Sequence, residues 1–487
     1  MMINIILYIL IIIASIFVYY NFLNLLQQNH YHIDYIFKMY LKYINKEYIL
    51  LLFLFLCFFN ISILKYLNII LLLVFIYVSL KKKFIVNLKL TNRIIRIIII
   101  NIVFLYIHYT LFDLLYYLYL IPIYILLSII ILHPVEMIIN NYYIKKAKKK
   151  LKEVNPIIIC ITGSAGKTSV KNYLYELLKH KYITFKTPNS YNTPLGIAKC
   201  INEELMSKCE IAILEYGASH KNDISKLLKI AKPDIGVITN ILPQHLKTFK
   251  KIENVFNEKL KLFEYSTICV YNSDIISPLI KPNRDSITIS EYKRGKYNLD
   301  VISINDKGCK FKINNYLFET SLLGRCNLDN LALSVIIANH LKICFKDIYD
   351  KVKYLSNIDS RVEIKYVNYI DKRIKIINDS FNSNIKGFKN AIDILKNEKG
   401  KKVIITPGIM ECGKKSKEIN YGIGLLLGEC DFDVFIIKSK EYKYIKKALD
   451  EKEKIYKSFD KFIDSYNEAL KEYECILIEN DIPDIYK

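Results

Sequence analysis

Residues 162–169 read TGSAGKTS, an order of glycines, lysine and hydroxyl side chains that suits the gripping of phosphate. Gly163 and Gly166 let successive backbone N–H groups, those of Ser164 and Ala165 among them, converge on phosphate oxygens at the positive start of a helix. Lys167 then reaches the β/γ-phosphates of a nucleotide, and the Thr168 hydroxyl, followed by Ser169, is placed to hold Mg2+. The full phosphate-loop pattern asks for glycine at 161, where this chain has Ile161. An ordinary glycine turn with a surface lysine is the plain alternative. The flanks favour the phosphate reading: IIICI (157–161) predicts a buried strand, and VKNYLYELLKH (170–180) an amphipathic helix.

Further along, EIAILEYGASH (210–220) predicts a strand that ends in Glu215. KPDIGVITNILPQHLKTF (232–249) predicts another, ending near Asn240 and leading to His245. NEKLKLF (257–263) sets Lys259 on a helix beside Lys261. A lone His or Lys is ordinarily structural or solvated. Glu215 and His245, each just past a strand, can converge on one cleft at the carboxyl edge of a sheet.

These elements sit behind a different kind of sequence. The chain has 487 residues, enough for two or three domains, and 52% of them are hydrophobic. Up to about residue 133 Ile, Leu, Phe and Tyr dominate, and beyond it charges are frequent. Residues 2–23 form an uncharged apolar run long enough to cross a bilayer, and further runs follow at 49–80, divided by Lys65, and at 97–112 and 114–132, divided by Asp113. Counted in this way there are five spans. The basic clusters at 38–46, 81–96 and 145–152 then fall on one side, which the positive-inside rule assigns to the cytoplasm. Fewer, longer or re-entrant helices are the alternative. The run KKAKKKLK (145–152) can meet anionic lipid headgroups or serve as a solvated flank. The net charge of +23 accompanies an abundance of Ile, Lys, Asn and Tyr, and no nucleic-acid module is evident, so no nucleic-acid partner is expected. Eleven cysteines are scattered singly, as suits reduced thiols in core positions.

From Pro156 onward, short β-rich runs alternate with helical ones, including KIIND (375–379), KVIITP (402–407) and DVFIIK (433–438), with a helical segment at 386–396. This is the pattern of α/β folds with mostly parallel sheets.

The succession TGSAGKTS, PNSYNTPLGI, ILEYGASHKNDI, ITNILPQHL, EKLKLF, GRCNLDN, SR and NDSFNSN, from about residue 155 to the C-terminus, resembles the Mur ligase family. The nearest branch is the one that adds D-alanyl-D-alanine to a UDP-muramoyl tripeptide. The apolar runs predict a multi-span helical membrane region at 1–153; the resemblance implies a phosphate-loop ATPase domain with a mostly parallel sheet at 154–356 and a Rossmann-like C-terminal domain at 357–487. It also implies ATP-dependent formation of an acyl phosphate on a cell-wall precursor, nucleotide- or lipid-linked, followed by attack of an amino-acid or dipeptide amine. By the same resemblance Thr168 and Glu215 hold one Mg2+, while His245 and a carbamylated Lys259 serve a second. Asn327 and Asn330 contact adenine, Arg361 and Asp379 the phosphates and ribose, and Asn192 and Thr193 face substrate, with an Asn/Pro turn as the plain alternative for that last pair. Another ligase on the same scaffold, for polyglutamylation, amidation or pseudomurein, and a non-catalytic membrane-bound ATP-binding regulator are the competing expectations. Cys326 and Asn420 stand where the branch carries histidine, and membrane helices occupy the place of its uridine-binding domain.

Overall fold

Along Ile157–Thr162 and Ile211–Glu215 alternate side chains enter different cores. Ile159, Ile161, Ile211 and Ile213 pack into one, and Cys160, Ala212 and Leu214 into another. This is the period-two signature of a strand covered on both faces. The structure, a computed structural model, describes residues 2–28, 31, 62–81, 87–112, 114–243, 246–275, 285–305, 307–356, 361–370, 372–380, 384–410, 412 and 415–480. It divides into two compact units, the first built from residues 1–141 and 483–487, the second from residues 142–482.

In the second unit, β1 (Ile157–Thr162) lies between β3 (Ile211–Glu215) and β4 (Ile235–Ile238), parallel to both. The order across the sheet is β2-β3-β1-β4-β5-β6-β7-β8-β9, with β2 at Thr184–Lys186, β5 at Ile268–Asn272 and β6 at Asp285–Ser290. β7 (Tyr297–Asn305), β8 (Gly308–Ile313) and β9 (Tyr316–Thr320) close it as an antiparallel meander. That meander is the element for which the sequence carried no explicit expectation. A second sheet has the order β10-β11-β15-β12-β13-β14 and is parallel except for the hairpin of β10 (Glu363–Tyr369) and β11 (Lys372–Asp379). Its other strands are β12 (Lys402–Thr406), β13 (Asp433–Ile437), β14 (Tyr456–Phe459) and β15 (Cys475–Glu479). The two sheets have separate apolar cores. The expected domain boundary at 356/357 adjoins residues 357–360, which lie outside the described residues.

The first unit holds the apolar helices α1 (Met2–Gln28), α2 (Ser62–Lys81) and α3 (Asn92–Leu111), and the start of α4 (Leu114–Val154). Among the described residues three helical stretches are long and apolar enough to cross a membrane: Ile5–Gln28, Asn92–Leu111 and Leu120–Val154. A shorter apolar one runs over Tyr66–Lys81. The expected runs at 2–23, 66–80, 97–112 and 114–132 lie on α1, α2, α3 and α4, with different bounds. Lys65 lies inside α2 rather than at a turn, and the run 114–132 continues without a break through Pro134 into the basic stretch. Most of the expected second span and Asp113 lie outside the described residues. Polar groups in this unit pair with one another: Arg96 with Glu136 at 2.5 Å, Asn101 with Ser128 at 2.8 Å, and Tyr19 with Asn101 at 3.1 Å. Such pairing offsets the cost of burying them. The final turns of α4 belong to the second unit, where Ala147 and Leu151 join the core that contains Ile197 and Ile201. The ten described cysteines are free and eight of them are buried.

Candidate active site

The carboxyl ends of β1, β3 and β4 meet where the chain crosses from one side of β1 to the other. Doubly wound sheets bind ligands at such a point. The loop after β1 runs straight into α5 (Lys167–Leu178). Gly166 caps that helix at φ 82°, a left-handed conformation that favours glycine. A Cβ there would lie 2.3 Å from Asn330 Oδ1 on α10 (Arg325–His340). Replacing Gly166 by alanine is thus expected to distort the loop against α10 and weaken nucleotide binding by about tenfold or more, roughly 1–3 kcal/mol of backbone strain. Titration with a fluorescent ATP analogue would measure this.

The loop is fastened from β4. Ser164 N donates to Asn240 O at 3.0 Å, Ala165 N to Asn240 Oδ1 at 2.8 Å, and the Thr239 hydroxyl to Ala165 O. Lys167 Nζ folds back to Gly163 O at 2.9 Å. Lys259, on α9 (Ile252–Tyr265), is 3% exposed and donates to the same carbonyl at 3.0 Å. Burial pushes both amines below the ordinary lysine range, Lys259 far below it, and the nearby Lys167 charge adds to the effect on Lys259.

Thr168 donates its hydroxyl proton to Glu215 Oε2 at 2.8 Å and accepts from Arg361 Nη2 at 3.1 Å. Glu215 is 1% exposed. Burial works to raise its pKa, yet the ammonium groups of Lys171 and Lys167 overcome that and hold it below the usual value. Three cations (Lys167, Lys171 and Arg361) thus stand against the carboxylates Glu215 and Asp379, an excess of positive charge fitted to a polyanion. The cleft continues between the two sheets, lined by Ala165, Asn330, Asp379, Lys386 and Asn390 among others.

The other expected residues fall as follows. Asn330 lines the cleft beside Gly166. Asn327 also lines it, but its amide oxygen accepts from Tyr173 OH at 3.0 Å and its nitrogen donates to Leu323 O at 3.0 Å. Asp379 ends β11 and accepts from Val362 N at 3.2 Å; Val362 itself sits at φ 54°, costly for a β-branched residue. Burial raises the Asp379 carboxyl to about 6, with the adjacent Glu479 and the Arg361 guanidinium acting in the opposite direction. Asn192 Nδ2 donates to Glu215 Oε1 at 3.2 Å. Thr193 caps α6 (Pro194–Glu204) by accepting from Gly196 N, the role its turn setting allowed. His245 lies outside the described residues. Asn420 is fully buried and pins the loop after β12 through Ile409 N and O at 2.8 and 2.9 Å.

Two features went unread in the sequence. Lys171, one helical turn beyond Lys167, makes a buried ion pair with Glu215 at 3.0 Å; its i+4 spacing from Lys167 was the available signal. Asp329 accepts from Arg325 at 2.8 Å and from Lys386 at 2.9 Å, tying α10 to the second sheet's domain.

No group of three or more His, Cys, Asp or Glu suited to a metal occurs among the described residues. A magnesium ion held chiefly by phosphates needs only one or two protein oxygens, and the buried Thr168–Glu215 oxygen pair meets that requirement.

Residues 161–338 match the family model described as the Mur ligase middle domain. The chain is 29% identical over 345 residues to the UDP-N-acetylmuramoyl-tripeptide–D-alanyl-D-alanine ligase of Borreliella burgdorferi, a match covering 66% of this chain and 71% of that one. To the ligase of the same name from Buchnera aphidicola it is 32% identical, over 54% of this chain and 58% of the relative. The MurF ligase of Thermotoga maritima, solved in complex with ADP, superposes with a TM-score of 0.60 at 25% identity, covering 70% of this chain and 80% of that one. The phosphate loop, the Thr168–Glu215 pair and the buried Lys259 gather at one sheet edge, within or beside a stretch, residues 161–338, that is a Mur ligase middle domain.

Proposed function

We propose that the chain is an ATP-dependent peptide ligase of the D-alanyl-D-alanine-adding type. It would phosphorylate a carboxylate of a cell-wall precursor peptide, and an incoming amine would displace that phosphate to form an amide. The observation that carries this reading is the convergence of Lys167, Lys259 and Arg361 with the Thr168–Glu215 pair on one cleft. A nucleotide-binding module has no use for a buried lysine with a depressed pKa facing its phosphate loop. Phosphoryl transfer needs charge neutralisation over spread oxygens, and preorganised cations supply it.

In this reading the loop N–H groups from Ser164 to Ser169 cradle the phosphates, and Lys167 leaves Gly163 O to meet the β/γ-phosphates. Thr168 and Glu215 hold Mg2+, which when bound neutralises charge on the phosphates. Arg361 steadies the phosphates, while Asn330 and Asn327 face the adenine edge. Asn192 and Thr193 flank the acceptor side. Burial and the Lys167 charge disfavour the charged form of Lys259, which favours the neutral amine that carbamylation requires, and with His245 it would serve the acyl-phosphate end.

Asp379 accepts ribose hydroxyls more strongly when ionised, as a charged acceptor. Its raised value of about 6 then makes KM for ATP climb as pH falls through 6, and Asp379→Asn should flatten that rise. Stability follows the sign for a raised carboxyl: its contribution is complete below the ordinary value of 3.8 and is lost as pH rises through about 6. Thermal midpoints between those pH values should fall in the parent chain and not in the variant.

We further propose that the apolar helices hold the ligase at the cytoplasmic face of a membrane. Large outward side chains such as Ile99, Ile102 and Leu73, each at least half exposed, suit lipid contact. The acceptor is then either nucleotide-linked or lipid-linked. Amine-dependent ADP formation by detergent-solubilised protein, with soluble UDP-linked and lipid-linked acceptors compared, tests the whole reading. ADP formation indifferent to amine and acceptor would overturn it.

A further inference from the structure

Lys171 is absent from the roles above, yet it is 0% exposed, and burying an ammonium group is costly unless it is paired. Its Nζ lies 3.0 Å from Glu215 Oε2 and also donates to Asn189 O in the loop after β2. The remaining acceptors of Glu215 are occupied too: Oε2 takes the Thr168 hydroxyl at 2.8 Å and Oε1 takes Asn192 Nδ2 at 3.2 Å. The one carboxylate at the end of β3 is therefore enclosed by a hydroxyl, an amide and an ammonium, all supplied by the chain.

We infer that Lys171 is a positioning residue. It is an internal counter-cation that keeps Glu215 buried and oriented before a divalent cation arrives, and it ties that carboxylate to the 187–193 loop. This rests on the reading of the cleft as a nucleotide–metal site. The geometry supports a stand-in rather than an ordinary surface pair. Both partners are about 1% exposed, and the lysine approaches the same oxygen that Thr168 contacts, the oxygen pair assigned to the metal. Lys171 also lies on the face of α5 that carries Lys167, one turn further on, so the helix that presents the loop to phosphate also sets the carboxylate. Through Asn189 and Asn192 the same contacts reach the loop that leads into α6, which couples the metal side of the cleft to its acceptor side.

If Lys171 stands in for a cation, removing it takes from Glu215 its direct ion-pair contact and leaves only the more weakly coupled Lys167 and Arg361 until Mg2+ arrives. Lys171→Met in the full-length, detergent-solubilised chain should lower the thermal midpoint by about 10 °C without ligand, as expected for breaking a buried pair. Magnesium with ADP should then raise the midpoint of Lys171→Met by roughly 5 °C more than it raises the parent, because binding to the native state alone stabilises it. ADP with a chelator should give no such excess. The double variant Lys171→Met/Glu215→Gln, which removes the carboxylate charge, should be more stable than the single variant and should lose the excess response. It also serves as the test if the single variant fails to fold. Equal ligand-induced shifts in parent and Lys171→Met, or a double variant no more stable than the single, would overturn the counter-cation role and leave the nucleotide site intact. A parent chain that does not respond to magnesium and ADP at all would overturn the nucleotide–metal reading itself.

Discussion

Replacing Lys167 by alanine is expected to lower kcat/KM for ligation by about a thousandfold, roughly 4 kcal/mol of transition-state stabilisation, in line with losing one preorganised charge from a phosphoryl-transfer site. The side chain rests on Gly163 O at 2.9 Å, so the loop holds its ammonium group against its own backbone. Burial lowers its pKa, which means the folded chain bears a cost for that charge, and the variant should fold at least as stably as the parent. Amine-dependent ADP release, read beside a thermal melt, separates the two effects. A variant that melts normally but no longer turns over is the expected pair of results.

Lys259→Met should show an even sharper opposition between activity and stability. Ligation is expected to fall by about a thousandfold or more, as for other groups acting on charge in the transition state. Stability should rise by about 0.5–2 kcal/mol, the usual gain when a functionally imposed cost is relieved. The amine is 3% exposed, close to Lys167, and balanced only in part by Glu258. Glu258 is itself engaged by Asn222 N and Ile224 N at 2.9 Å and by Lys261 at 2.7 Å. The sign of the pH dependence follows. Because the folded value lies well below the ordinary lysine value of 10.5, the unfolded chain binds more protons between the two. Stability therefore climbs with pH across that window and is lost as pH falls through the depressed value. Lys259→Met should remove that slope, as denaturant titrations at a series of pH values would show.

The site was legible where chemistry and local pattern coincide. TGSAGKTS sits between a strand and a helix because the flanking runs have the right periods, and Glu215 ends its strand as the apolar run EIAILE predicts. Lys259 was legible as a helical residue; its burial was not, since that depends on α9 packing against the loop after β1, more than ninety residues away in sequence. Lys171 was hidden for the same reason. A lysine in an amphipathic helix reads as solvated, and only the arrival of β3 at its side turns it into half of a buried pair. Thr193 shows the opposite case, in which the ordinary turn chemistry of Asn-Thr-Pro accounts for its observed contact as a helix cap. In the apolar region the charges at Lys65 and on the 145–152 run marked interruptions by composition. Helix geometry tolerates both, so α2 starts before Lys65 and α4 runs through to Val154. The antiparallel close of the first sheet depends on pairing between β7, β8 and β9, whose register composition alone does not reveal.

The central claim is that ATP at this cleft activates a carboxylate for attack by an amine. Its most direct test is to label the acceptor carboxylate with heavy oxygen and analyse the inorganic phosphate formed. An acyl phosphate displaced by an amine must deliver one labelled oxygen from the acceptor to phosphate, with ADP as the other product, and we expect that transfer to require the amine. Phosphate free of label, or AMP and pyrophosphate in place of ADP, would contradict the account.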